Sequence, residues 1–182
     1  LLWKFVLFTG LRAGEVAALK WECVKFFDSP KGEVFGVLEI RRSRCQKTGQ
    51  LRECTKNGDR RDVPILRDAA EVLQELSKGG AFVFGGTEAL DQKHFARDLK
   101  SAARRIGVRP ISFHQLRHTF CSWIDSRGIP RRIVSAVMGH RDIATTNRYS
   151  HVTDHSVIAS LGSLSASKSE DDNGTTISWK IV

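Results

Sequence analysis

Apolar residues crowd the opening LLWKFVLF and then recur at helical spacing, so residues 1–8 and 12–22 read as two helices broken at Thr9-Gly10. The second carries Val16 and Leu19 on one face. Residues 34–41, VFGVLEIR, are rich in β-branched and apolar types, and so are residues 62–66, DVPIL, which follow a Lys-Asn-Gly-Asp turn signal. Together they predict a small antiparallel sheet. Helical periodicity returns over residues 67–76, and Gly79-Gly80 ends it. Residues 81–84, AFVF, fit either a short strand or a buried loop.

In the second half, Asp91 caps a helix that runs to about residue 106, with Gly107 as its stop. Ser112 is followed three residues later by Gln115, the form of a capping box. The helix it opens runs to residue 127 and stops at Gly128. Pro130 stands where a first helical turn tolerates it and opens a helix towards Met138; Asp142 caps a last short helix through Tyr149. After about residue 164 the chain turns to Ser, Asp, Asn, Gly and Lys, the composition of a flexible tail. The pattern therefore predicts an α+β fold, mostly helical, with one compact domain over residues 1–164 and a tail over 165–182. The tail's end, residues 177–182, is apolar and β-prone, and it is expected to dock as an edge strand rather than hang free.

Bulk properties narrow the partner. A chain of 182 residues suits one domain, and 41% hydrophobic with 27% charged residues is ordinary for a globular protein. No run approaches the ~18–20 apolar residues that span a bilayer. The apolar start lacks the basic leader and cleavage site of a signal peptide, so it reads as a core helix. Position 1 is Leu rather than Met, which suggests a piece excised from a longer protein. The net charge of +9 and pI of about 9.8 favour a polyanion, nucleic acid ahead of an anionic membrane surface. Cys23, Cys45, Cys54 and Cys121 show neither CxxC spacing nor the density of a disulfide scaffold, and they point to free thiols in an intracellular protein.

A few polar residues stand where the local pattern does not need them. Arg12 lies at a helix start, where the macrodipole disfavours a cation unless an anion joins it. His114 and Arg117 are three apart and share a face near a helix N-terminus, a setting suited to phosphate. His140 follows Gly139 at a helix end, and Tyr149 is the only tyrosine. Taken singly, each has a bland explanation as a surface arginine, a structural histidine or a half-buried core tyrosine.

The strings around them are more specific. Thr9-Gly10-Leu11-Arg12-Ala13-Gly14-Glu15 resembles the TGLRxGE signature of tyrosine recombinases of the phage-integrase kind. His114-Gln115-Leu116-Arg117-His118-Thr119 resembles their HxLRHT box, and Met138-Gly139-His140 followed by Thr145-Thr146 and Arg148-Tyr149-Ser150-His151-Val152 resembles their LGHxxxxTTxxYsHv segment. The resemblance covers roughly residues 1–155. It implies a recombinase catalytic domain in which Arg12, His114, Arg117, His140 and Tyr149 fill the active-site roles. It also implies a lysine in a turn between strands. Lys56, within the K…R-x-V-P pattern, matches it, and Lys47 is the alternative because the segment 41–55 is longer than such a hairpin needs. Glu15 is then expected to support Arg12 or a neighbouring histidine.

The implied chemistry is cutting and rejoining of double-stranded DNA through a 3′-phosphotyrosyl link, with no metal, cofactor or ATP. Residues 41–61 hold eight Lys or Arg against Glu53 and Asp59, so Arg41, Arg42, Arg44, Lys47, Arg60 and Arg61 are candidate DNA contacts, together with Arg131 and Arg132 at a helix start. The resemblance further implies self-association into a tetrameric synapse on DNA, an N-terminal DNA-binding domain that is absent from this sequence, and a tail that docks in cis alone and in trans when assembled. Two other classes compete: a type IB topoisomerase, and a catalytically silent DNA-binding accessory protein. His114 and His118 have the i, i+4 spacing of a zinc helix, but Gln115 stands where that motif needs Glu.

Overall fold

Helix α1 (Leu2–Thr9) carries apolar side chains round most of its circumference and packs at the centre of the fold, with Phe5 and Val6 wholly buried. It touches strand β5 (Arg61–Leu66) and helices α3 (Arg67–Glu75) and α5 (Phe113–Ser126). The computed structural model describes residues 1–27, 34–53, 60–76 and 78–139, and the expected helix through Tyr149 and the tail lie outside them. Among the described residues no helix is long and apolar enough to cross a membrane.

Helix α1 ends at Gly10, whose left-handed backbone (φ 62°) lets its N–H reach Val6 O at 2.9 Å. A Cβ there would run into the Phe120 ring and lie 2.9 Å from Met138 Sδ, so only glycine serves. The next helix, α2 (Ala13–Ala17), is much shorter than the expected span of 12–22. Val16 and Leu19 are buried as the periodicity requires, but tertiary pairing overrides the helix beyond Ala18. Leu19 O accepts from Val83 N at 2.9 Å, Lys20 bridges Phe82, and Trp21 N donates to Ala81 O at 3.0 Å. The AFVF segment is thus a pairing loop for the end of α2.

The sheet has three antiparallel strands in the order β1-β2-β5, where β1 is Val24–Phe26 and β2 is Val34–Ile40. Strand β1 was not expected from the sequence. The β2–β5 pairing follows the register Val37↔Pro64 to Ile40↔Arg61, and Pro64 is tolerated because β5 is an edge strand. Alternate β2 residues Val34, Leu38 and Ile40 face the core. Between β2 and β5 the chain makes an excursion that contains its own small hairpin, β3 (Ser43–Arg44) with β4 (Leu51–Arg52).

Helix α4 (Gln92–Arg105) starts at its expected cap, where Lys93 N donates to Asp91 Oδ1 at 2.9 Å. Helix α5 opens on the expected capping box, with Ser112 N to Gln115 Oε1 at 2.6 Å and Gln115 N to Ser112 Oγ at 3.3 Å. Helix α6 (Arg131–Met138) follows Pro130 and ends on Gly139, again left-handed at φ 63°.

Candidate active site

The turn after α1 sets Arg12. Leu11 is wholly buried and anchors the turn, and Arg12 becomes the residue before α2 with an extended backbone. Its N–H donates to Glu15 Oε2 at 2.8 Å, and its Nη1 donates to Glu15 Oε1 at 3.1 Å. The anion that the sequence required near Arg12 is therefore supplied three residues on.

Glu15 has a stronger partner than Arg12. Arg61 grips it with both nitrogens, Nη1 to Oε1 at 2.8 Å and Nη2 to Oε2 at 2.7 Å. Burial by itself would raise the Glu15 carboxyl, but the hydrogen bonds and charge of Arg61, then those of Arg12, hold it below the usual value. Arg61 is expected among the DNA contacts from the sequence, and the structure places it on Glu15, turned towards α6. Only 9% of its side chain is exposed, and its Nε donates inward to Val137 O at 2.8 Å.

Arg117 stands on the buried stripe of α5 beside Leu116, Phe120 and Ile124. Its Nη1 donates to Gly10 O at 2.5 Å and its Nη2 to Met138 O. Burial, and then the nearby Arg12 charge, pull the guanidinium down to about 10, which still leaves it protonated at neutral pH. Arg12 Nη2 in turn donates to Gly139 O. Three successive carbonyls at the end of α6 thus each accept from a different arginine: Val137 from Arg61, Met138 from Arg117 and Gly139 from Arg12. Free carbonyls at a helix C-terminus carry partial negative charge, so they are natural partners for cations. They fix where the chain leaves α6, one residue before His140.

The charge balance of this cluster is uneven. Arg12, Arg61 and Arg117 contribute three positive charges and Glu15 one negative, an excess of two. A partly buried excess of that kind favours an incoming anion, and guanidinium forks match phosphate oxygens in geometry. His114 lies one turn before Arg117 on α5, with its ring edge-on to His118 at 4.6 Å between centroids. His114 is exposed, yet desolvation by its neighbours, then His118 and Arg117, push its imidazole below its ordinary value, which favours the neutral form that can accept a proton.

The structure brings Arg12, Glu15, Arg117 and His114 to one region, while Lys56, His140 and Tyr149 lie outside the described residues. Lys47 is exposed in the β3–β4 turn. Arg41 pairs with Glu39 at 3.0 Å, and Arg42 with Glu53 at 2.8 Å and Glu22 at 2.7 Å. Arg44 points to Leu90 O and Asp91, while Arg60, Arg131 and Arg132 are exposed. Sequence reading missed a second basic surface, the outer face of α4 with Lys93, Arg97, Lys100, Arg104 and Arg105 exposed. Helical spacing of these residues opposite Phe95 and Leu99 was the available signal. Among the described residues no cluster of three His, Cys, Asp or Glu is placed to hold a metal ion.

An anion-seeking arginine cluster, built from the end of one helix, the edge of a small sheet and the buried face of another, defines a class of catalytic domain with known relatives. The chain belongs to the phage integrase family, whose model matches residues 1–156. It is 41% identical over 97 residues to tyrosine recombinase XerD of Rhizobium meliloti (strain 1021), a match covering 50% of this chain and 31% of that protein. The chain spans less than half the length of the curated relatives compared with it, for example 31% of that protein and 47% of tyrosine recombinase XerA of Pyrococcus furiosus (strain ATCC 43587 / DSM 3638 / JCM 8422 / Vc1). The fold is that of the lambda integrase catalytic core, with a TM-score of 0.56 at 21% identity over 79% of this chain and 80% of that one. It is shared by the Tn1549 transposon integrase solved in complex with transposon right end DNA, with a TM-score of 0.59 at 22% identity over 88% of this chain and 57% of that one.

Proposed function

We propose that this chain is the catalytic domain of a site-specific tyrosine recombinase that cuts and rejoins double-stranded DNA. The observation that carries the reading is the convergence of Arg12 and Arg117, with Glu15 and Arg61 behind them, on a partly buried site with surplus positive charge. The phenol oxygen of Tyr149 attacks the scissile phosphorus, and the bond from phosphorus to the 5′-oxygen breaks. Arg12 and Arg117, joined by His140, neutralise charge that grows on the non-bridging oxygens. His114 takes the tyrosine proton, and a lysine, Lys56 or Lys47, gives a proton to the departing 5′-oxygen. The phosphotyrosyl ester keeps the energy of the broken bond, so a 5′-hydroxyl from another strand reseals it without ATP.

Duplex DNA is the partner that the charge supports, since the relatives that share the fold include recombinases bound to DNA. The basic outer face of α4 and exposed Arg60, Arg131 and Arg132 suit backbone phosphates. Assembly of several protomers on DNA and an intracellular location follow from the same reading.

The reading is testable on DNA of any sequence. The chain is incubated with a pool of nicked duplexes whose central sequence is randomised, and SDS-stable protein–DNA adducts are isolated and sequenced. Wild-type protein should form adducts and Tyr149→Phe none, while both bind the pool alike. Adducts formed by the Phe variant sink the assignment. Holliday junctions made from the recovered site distinguish a recombinase from a topoisomerase.

A further inference from the structure

The excursion between β2 and β5 carries both candidate lysines, Lys47 and Lys56, and its base is fastened to the arginine site at one described place. Gln92, the first residue of α4, is 3% exposed. Its Nε2 donates to the main-chain carbonyl of Arg44 at 2.7 Å. A buried carboxamide that spends its donor on another element's backbone is a fixed connection, because breaking it strands polar groups away from water. The Arg44 side chain folds over the same corner, with Nη1 3.3 Å from Leu90 O and 3.6 Å from Asp91 Oδ1.

The other jaw is Gly14, in the first turn of α2. A Cβ on Gly14 would lie 2.7 Å from Arg44 O and 3.5 Å from Gln92 Nε2. The excursion therefore reaches the backbone of α2 two residues from Arg12, and it does so only because position 14 lacks a side chain. Strand β3 packs on α2 with Ser43 buried, whereas the residues of β4 are exposed.

We propose that Gln92 and Gly14 form a latch that positions the leaving-group acid: they seat the β3–β4 hairpin on α2, and so fix where Lys47, in its turn, stands relative to the phosphate bound at Arg12 and Arg117. The proposal rests on the recombinase reading given above. In the reaction, the bond from phosphorus to the 5′-oxygen breaks with its electron pair on oxygen, which takes the lysine proton. Neither latch residue touches DNA. Both act through where that proton donor stands.

A substrate with sulfur as the bridging 5′ atom makes this testable, because a thiolate leaves without a proton. Gln92→Glu keeps the shape and removes the donor, and Gly14→Ala pushes Arg44 away without removing any polar group. On the recovered site with oxygen at the bridge, both variants should lose cleavage rate on the order of 10²-fold, the cost of a misplaced catalytic group. On the sulfur substrate both should cleave near the wild-type rate, with unchanged affinity for DNA. Equal losses on the two substrates, or normal cleavage of the oxygen substrate, overturn the latch while wild-type adducts still stand. Failure of the wild type to form any adduct overturns the recombinase reading, and the latch falls with it.

Discussion

Glu15 and Arg61 form a two-pronged ion pair whose side chains are 1% and 9% exposed, and it joins the start of α2 to the edge strand β5. Because Arg61 also holds Val137 O, the pair braces the end of α6 as well. Arg12 shares Glu15 with this brace, while Arg117 is held by the neighbouring carbonyls Gly10 O and Met138 O. The geometry of the proposed phosphate site thus depends on a buried pair that need not touch a substrate.

Breaking that pair should be costly. Glu15→Gln leaves the Arg61 charge buried with a neutral partner, and loss of one member of a buried pair typically destabilises by about 3–5 kcal/mol. Urea unfolding of wild type and variant measures it, and a change within ~0.5 kcal/mol shows that the pair does not brace the fold.

The same pair sets a pH dependence. The native Glu15 carboxyl lies below its usual range, so the unfolded chain takes up its proton at a higher pH than the folded one. Its contribution is complete above the unfolded value near 4.3, and it is lost as pH falls through the lower folded value. Melting temperature should therefore drop more steeply below about pH 4 in the wild type than in Glu15→Gln. Parallel curves show that Glu15 carries no such linkage.

Arg12 and Arg117 should matter to rate more than to binding. Removing a donor to developing charge costs on the order of 10²–10³ in rate. Arg12→Ala is expected to fall in that range on the nicked substrate with little change in affinity. Exposed Arg60→Ala should instead weaken binding and flatten its salt dependence. Normal cleavage by Arg12→Ala makes that arginine structural. Arg117→Ala is the harsher change, because it also strands Gly10 O and Met138 O in the interior.

Much of this organisation is legible in the sequence, and the exceptions have physical causes. The caps at Asp91 and Ser112 and the left-handed glycines at 10 and 139 are local features, and local chemistry predicts them. The length of α2 is not local: its continuation is stopped by backbone pairing with residues 81–83, far along the chain. Arg61 and Gln92 show the same limit. Each lies in a segment whose polarity suggests exposure, yet each finds a buried acceptor on a distant element, Glu15 for one and the Arg44 carbonyl for the other. The expected site splits the same way. Arg12, His114 and Arg117 stand out in motif strings, whereas the brace behind them depends on which strand edge meets which helix end.

Cys45 should be the most reactive of the thiols at residues 23, 45 and 121. It lies in the β3–β4 turn, where the Thr48 hydroxyl and the backbone N–H groups of Thr48 and Lys47 pull its thiol down to about 7. Burial pushes Cys23 and Cys121 the other way. Iodoacetamide at pH 7 followed by peptide mapping should label Cys45 well before those two. Preferential labelling of Cys121 shows that the turn does not stabilise the thiolate.

His114 offers a spectroscopic test of the base assignment. Desolvation by its neighbours, then the His118 ring and the Arg117 charge, all disfavour its protonated form, which places its titration below the ordinary 6.5. A shift in that direction favours the neutral imidazole, the form that can accept the tyrosine proton. Histidine proton NMR across pH 5–8 should show the His114 resonance titrating at lower pH than a free imidazole. In His118→Ala one of the opposing groups is gone, so the titration should move up towards 6.5, and the acid limb of the cleavage profile should move up with it. A His114 resonance that titrates above 6.5 in the wild type means that the ring is held as a cation. It would then serve as a donor to phosphate rather than as the base.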